Sequence, residues 1–147
     1  MGVKAARPPR LSAGVIVVRN AAQGWLFLML RAYRNWDFPK GVVEPEEDPL
    51  AAARREVREE TLIEDLVFRW GEGYIETPPY AHNKIARYYL AETATAAVTL
   101  PIQPELGRPE HNEWRWFSHA ETLQHVSPRL ERVVRWGAGK LGIGAPQ

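Results

Sequence analysis

The sequence predicts one α/β (α+β) domain, a central mixed β-sheet flanked by helices, and three observations point there. At 147 residues the chain has room for one hydrophobic core without disulfides or a structural metal. Its 45% apolar and 25% charged residues are those of an ordinary globular protein. The patterned segments then run strand, strand, helix, strands, helices, an order that builds layers.

Residues 1–10 read as a flexible lead-in, 11–140 as the single domain and 141–147 as a flexible tail. The β-branched run 11–18 and the apolar run 25–30 enclose the turn signal 19–24, so they form a hairpin. Residues 31–41 are loop-like and end in Pro39-Lys40-Gly41. Asp48 followed by Pro49 marks a helix start, since Asp caps free amides and Pro suits the first helical position. The helix continues over 50–61, rich in Ala, Arg and Glu. Strand-like segments return at 66–69, 73–77, 85–91 and 113–117, with a long connection over 93–108 that carries at most a short edge strand. Two helices close the chain, from Ser118 or His119 to His125 and from Ser127-Pro128 to about Gly137; Gly137, Gly139, Gly142 and Gly144 then fray the terminus.

Composition also excludes some functions. A net charge of +1 gives no electrostatic reason to expect nucleic acid or a membrane surface as partner. The absence of cysteine removes disulfides, thiolate metal sites and cysteine nucleophiles. No stretch approaches the roughly 20 apolar residues of a membrane span, the basic start lacks a signal-peptide apolar run, and Ala6 spoils the myristoylation pattern begun by Met1-Gly2. A cytoplasmic protein, monomer or homodimer, is expected.

Chemistry concentrates on the first helix. Glu56, Glu59 and Glu60 stand at i, i+3 and i+4, and so share one face beside an apolar stripe of Leu50, Ala53 and Val57. Three carboxylates this close repel unless cations balance them, and hard divalent cations with oxygen ligands do so. The helix alone is better explained by a solvated, ion-paired face, since Arg55 lies i, i+4 from Glu59. The upstream spacing decides for a site. Gly41 is followed by five residues and Glu47, then by seven residues and Arg55-Glu56-Val57-Arg58-Glu59-Glu60.

This spacing over 41–63 resembles the Nudix box, with one departure, Leu62 where the family has Gly. That Gly ends the helix in a left-handed conformation, which costs a Leu roughly 1 kcal/mol or more. The resemblance implies an α/β/α sandwich with a loop–helix–loop catalytic motif and Mg²⁺ as cofactor, with Mn²⁺ as an alternative. It implies Glu56, Glu59, Glu60 and the Gly41 carbonyl as metal ligands. Arg55 orients the carboxylates and Glu47 supports them. The reaction it implies is phosphoanhydride hydrolysis, in which a carboxylate takes the proton of the attacking water. The candidate bases are Glu56 in the box and Glu105, Glu110 and Glu113 outside it, and Glu110 is favoured because it precedes the strand-like 113–117.

A second, looser resemblance is to the bis(5′-nucleosyl)-tetraphosphate asymmetrical hydrolase branch. It rests on Ser12-Ala13-Gly14-Val15-Ile16, on Trp36-Asp37-Phe38-Pro39-Lys40-Gly41-Val42-Val43-Glu44-Pro45, on the segment from Lys84 to Glu92, and on Glu110-His111 with Trp114-Arg115-Trp116. The branch has His where Val42 stands. The resemblance implies Lys40 and Lys84 as phosphate-binding charges, Tyr88 as a base-stacking platform and Trp36 at the entrance to the site. His82 and His111 are lesser candidates for phosphate contacts. The expected substrate is diadenosine tetraphosphate, split to ATP and AMP. Alternatives are an RNA 5′ end, a diphosphoinositol polyphosphate or a damaged nucleoside triphosphate. A non-catalytic nucleotide-binding module is a further alternative, disfavoured because Glu56, Glu59 and Glu60 are all present.

Overall fold

A computed structural model describes residues 8–144. Its centre is β1 (Arg10–Ala21), whose uninterrupted apolar stretch is buried from Ala13 to Val18 because both faces of the sheet are covered. One edge of β1 pairs in parallel with β6 (Lys84–Glu92) along most of its length. Its other edge serves two antiparallel neighbours in turn: β4 (Lys40–Val42) beside Ser12–Gly14, then β2 (Gly24–Ala32) beside residues 18–21. Strands β3 (Asn35–Asp37) and β7 (Glu113–Phe117) add to β2, and β5 (Tyr74–Glu76) adds to β6. The result is a seven-stranded mixed sheet.

Alternation along β1 sends Ala13, Val15 and Val17 to one core and Ile16 and Val18 to the other. The first core is closed by α1 (Pro49–Thr61) through Ala52, Ala53 and Val57. The second is closed by α3 (Pro128–Leu141) through Leu130, Val133, Val134 and Ala138, with α2 (His119–His125) at its side. Helices therefore cover both faces, the expected sandwich of three layers.

The helix starts follow their caps. Asp48 accepts the Ala51 amide at 3.0 Å with Pro49 in the first turn. Ser118 and Glu121 form a reciprocal capping box on α2. Leu62 ends α1 in the left-handed region (φ 62°), its amide bonded to the Arg58 carbonyl, so Leu accepts the strain that Gly would avoid.

Several expectations need correction. Residues 66–69 make one bridge, Val67 to Glu92, before Gly71 (φ 91°) turns the chain away. The connection 93–108 is the long connection expected, and its room for a short edge strand is unused; it is pinned by Asp65, which accepts from the Thr93 and Thr95 hydroxyls and the Ala94 amide, and by a bridge from Gln103 to Arg108. The supposed loop 31–41 contains β3 and most of β4, strands too short to show alternation and formed because β1 and β2 offer open edges. Gly137 and Gly139 lie inside α3 rather than beyond it. A Cβ on Gly137 would stand 3.3 Å from Ile16, so the glycine lets α3 lie close on β1. Gly142 (φ 75°) caps α3, and Ile143 packs on the second core. Most of the lead-in (1–7) and the end of the tail (145–147) lie outside the described residues.

Leu62 is 55% exposed, so little packing offsets its backbone strain. Leu62→Gly should therefore raise stability by about 0.5–1 kcal/mol, after part of the strain relief is returned to the entropy of the unfolded glycine. The check is a urea titration in which the midpoint rises while the slope stays unchanged.

Candidate active site

The site begins with two glycines. A Cβ on Gly14 of β1 would lie 2.3 Å from the Pro39 carbonyl oxygen, so only glycine lets the segment before β4 press onto β1. A Cβ on Gly41 would fall 2.1 Å from the Glu56 carboxyl carbon, so the Glu56 side chain rests directly on the Gly41 backbone. The Gly41 peptide and the first box carboxylate are thereby brought together across elements.

Arg55 then fixes the acids. Its Nε and Nη2 make a fork on Glu47 at 2.8 and 3.0 Å. Nη1 donates to Glu56 at 2.9 Å and Glu59 at 3.1 Å, and Nη2 also donates to the Val42 carbonyl at 3.1 Å. The fork, with the Glu44 amide, lowers the Glu47 carboxyl to a pKa of about 2. Arg55 itself is held more firmly protonated than usual, first by the Glu47 hydrogen bonds.

Glu60 has no such partner. It is 3% exposed, and neither carboxylate oxygen has a hydrogen-bond partner. Burial, then the charge of Glu110 and the proximity of Glu56, raise its proton affinity well above the ordinary carboxylate range, with Lys40 opposing. His111 Nδ1 stands 3.8 Å from Glu60 Oε1. The ligand atoms of Glu60, Glu110 and His111 all lie within 4.8 Å of one another. A buried carboxylate without a donor, ringed by further carboxylates, is an arrangement that a cation satisfies, so the residues present fit a divalent metal.

Two clefts meet at this centre and share Lys40 and Glu110 as walls. The first, about 450 Å³, is lined by Ser12, Gly41, Val42, Glu44, Glu56, Glu59, Lys84, Gln103, Glu105 and Leu106. The second, about 430 Å³, is lined by Arg34, Asn35, Trp36, Asp37, Phe38, His111, His125, Val126, Ser127 and Arg129, with Ala32 at its rim. The structure thus gathers Gly41, Glu56, Glu59, Lys84 and Glu105 on one side of Lys40 and Glu110, and Trp36 and His111 on the other. Trp36 stands edge-on to Phe117 and His125. Glu113 is bound between Arg31 and Arg115 and lines neither cleft, so it is not placed as a base. His82 sits in an exposed turn (φ 56°) away from both.

Tyr88 requires correction. It is fully buried in the second core, edge-on to Phe38, and its hydroxyl donates to Asp37 at 2.9 Å. No ring face is open to a base. Burial is also the first cause of a raised Tyr88 pKa, so the phenol keeps its proton for Asp37.

Sequence reasoning missed Asp37 and Arg129. Asp37 accepts from Tyr88, lies 3.4 Å from Arg129 Nη2 and 3.8 Å from Lys40 Nζ. Burial would lower the Lys40 pKa, but Asp37 and Tyr80 outweigh it and the ammonium is held protonated. Arg129 lies over the Tyr80 ring at 4.1 Å and leaves a buried Nη1 without a partner. Only the helix-start signal Ser127-Pro128 hinted that a side chain there was positioned.

Comparison with known proteins agrees with this geometry. A model of the NUDIX domain matches residues 8–137. The chain is 35% identical over 104 residues to the bis(5′-nucleosyl)-tetraphosphatase (asymmetrical) of Mus musculus, covering 67% of each protein. It is 28% identical over 138 residues to the RNA pyrophosphohydrolase of Roseobacter denitrificans, covering 82% of this chain and 84% of that one. The crystal structure of a Caenorhabditis elegans Ap4A hydrolase binary complex superposes with a TM-score of 0.76 at 27% identity, over 89% of this chain and 98% of that one. With its box helix, acid cluster and sandwich in place, the chain belongs to the Nudix family of pyrophosphohydrolases.

Proposed function

We propose that the chain hydrolyses dinucleoside tetraphosphates asymmetrically, diadenosine tetraphosphate to ATP and AMP, with Mg²⁺ as its cofactor. The observation that carries this reading is the pair of clefts on either side of Lys40 and Glu110, since a polyphosphate with a nucleoside at each end needs room on both sides of the reacting centre. The likeness to the mouse tetraphosphatase supports it.

Gly41, Glu56, Glu59 and Glu60 would hold the metal, which would supply charge neutralisation for the phosphate oxygens and acidify the attacking water. Arg55 keeps Glu56 and Glu59 in register. Lys40 and Lys84 draw the non-reacting phosphates into the first cleft. The water oxygen bonds to phosphorus, the bridging P–O bond breaks with the ATP phosphate as leaving group, and the water proton passes to Glu110. Trp36 takes the base-stacking role that buried Tyr88 does not fill. A second reading, RNA 5′-end hydrolysis, is favoured by Arg34 and Arg129 in the second cleft, where they suit a further backbone phosphate, and by the likeness to the Roseobacter enzyme.

Glu59→Gln or Glu60→Gln should lower kcat by about 100-fold or more while the fold is kept; wild-type turnover with Mg²⁺ in either variant removes these residues from the metal. Trp36→Ala should raise KM for the dinucleotide by about 5-fold or more with a smaller change in kcat. Tyr88→Ala should instead cost about 3–5 kcal/mol of stability. Kinetics beside thermal unfolding would reverse the assignment if Tyr88→Ala folded normally and only KM rose. Metal removal tests Glu60 separately. Its raised folded-state pKa means that the folded chain holds the proton more tightly than the unfolded one. In chelator, the Glu60 contribution to stability should be fully present below the ordinary carboxylate pKa and be lost as pH rises through the raised one. Scanning calorimetry of Glu60→Gln should show that decline flattened, and an equal decline in both proteins would assign it elsewhere.

A further inference from the structure

The Nudix box supplies oxygen ligands that face the first cleft, yet the buried Glu60 carboxylate also has neighbours on the second-cleft side. His111 is half-buried in the wall of that cleft, with 13% of its side chain exposed. Its Nδ1, 3.8 Å from Glu60 Oε1, is too far for a hydrogen bond. Ligands about 2.1–2.2 Å from one ion lie roughly 3–4.3 Å apart. The His111–Glu60 pair already stands in that range, and the 4.8 Å bound on the trio with Glu110 leaves only a small side-chain rotation to complete it. Glu60 supplies the independent sign of a ligand: it is almost wholly buried, both oxygens lack hydrogen-bond partners, and one of them lies within 4.8 Å of the Glu110 and His111 ligand atoms. Lys40 does not take that place, since its nearest carboxylate is Asp37.

We propose that the His111 imidazole joins Glu60 and one Glu110 oxygen in a mixed nitrogen–oxygen cation position on the second-cleft side of the centre, the other Glu110 oxygen being left to take the water proton. One imidazole among carboxylates shifts selectivity away from Mg²⁺, which takes oxygen ligands, toward Mn²⁺, Co²⁺ and Zn²⁺. This deepens the metal assignment of the proposed function and rests on it for Glu60, but it concerns a residue outside the box.

The test uses the full chain loaded with Mn²⁺ alone, without substrate. Pulsed electron paramagnetic resonance should show nitrogen hyperfine coupling in the wild type, altered when histidine is labelled with ¹⁵N. His111→Ala and His111→Gln should abolish the coupling and weaken Mn²⁺ binding by about 10-fold or more, while Mg²⁺ binding changes by less than about 3-fold. Three results would overturn the assignment: no nitrogen coupling in the wild type at any loading, coupling that survives in the variants, or parallel changes in Mn²⁺ and Mg²⁺ affinity. If both variants fail to fold, the wild-type spectrum alone decides. A chain that shows the coupling but cleaves no dinucleotide keeps His111 as a ligand and loses the substrate reading. A chain that cleaves the dinucleotide without the coupling does the reverse.

Discussion

Arg55 stands midway along α1, and its planar fork reaches back from the helix to the loop before it. Two of its nitrogens clasp Glu47, one reaches Glu56 and Glu59 together, and one also takes the Val42 carbonyl. All five guanidinium donors are thereby engaged. An isolated surface ion pair contributes little, but this cation is half-buried, bidentate and shared among three carboxylates that would otherwise repel. It cannot lose its proton, and a lysine in its place would offer no fork. Every other feature of the acidic centre assumes that Glu56 and Glu59 stay where Arg55 puts them. Glu60, one residue on and on the inner face of the helix, is outside Arg55's reach and is left for something else to neutralise.

That arrangement works only because the backbone beneath it comes unusually close. Gly14 admits Pro39, Gly41 admits the Glu56 carboxyl, and on the opposite face of the same central strand Gly137 admits α3 against Ile16. The three glycines set the spacing of the layers on β1. The first two bring the Gly41 backbone against the Glu56 carboxyl, and the third seats α3, whose first turn carries Arg129 into the wall of the second cleft. Packing and chemistry are thus the same constraint seen from two sides of one strand.

What could be read from the sequence was what repeats or caps locally. Glu56, Glu59 and Glu60 follow helical period, Asp48-Pro49 announces a helix start, and residues 113–117 form a strand with the predicted bounds. Strands β3 and β4 escaped notice because three residues carry no period; their neighbours make them strands. Tyr88 was misplaced for a related reason. In a strand buried on both faces, alternation separates two cores rather than inside from outside, so nothing local says which aromatic meets a ligand. Asp37 lies 51 residues from the tyrosine it accepts from and 92 from Arg129, distances at which no spacing rule operates. The left-handed Leu62 was legible only as a departure, and the structure shows the chain accepting its cost.

Asp37 gives the misplaced tyrosine its real importance. Tyr88 is the buried strut that donates to Asp37, and Asp37 in turn lies beside Lys40 and Arg129 at the floor of the second cleft. One carboxylate beside two cations leaves net positive charge facing that cleft, to which Arg34 adds. On the other side of Lys40 stand Glu56 and Glu59, held by Arg55, with Lys84 nearby, while Glu110 is shared by both clefts and Glu60 is buried at the centre. A whole-chain charge of +1 therefore conceals a site divided by sign. A polyphosphate lying across both halves would be attracted by one and repelled by the other until cations occupied the acidic half. Under the proposed function, metal and substrate binding would be coupled by electrostatics before any bond changed, most strongly at Glu60, whose buried carboxylate would gain most from a cation.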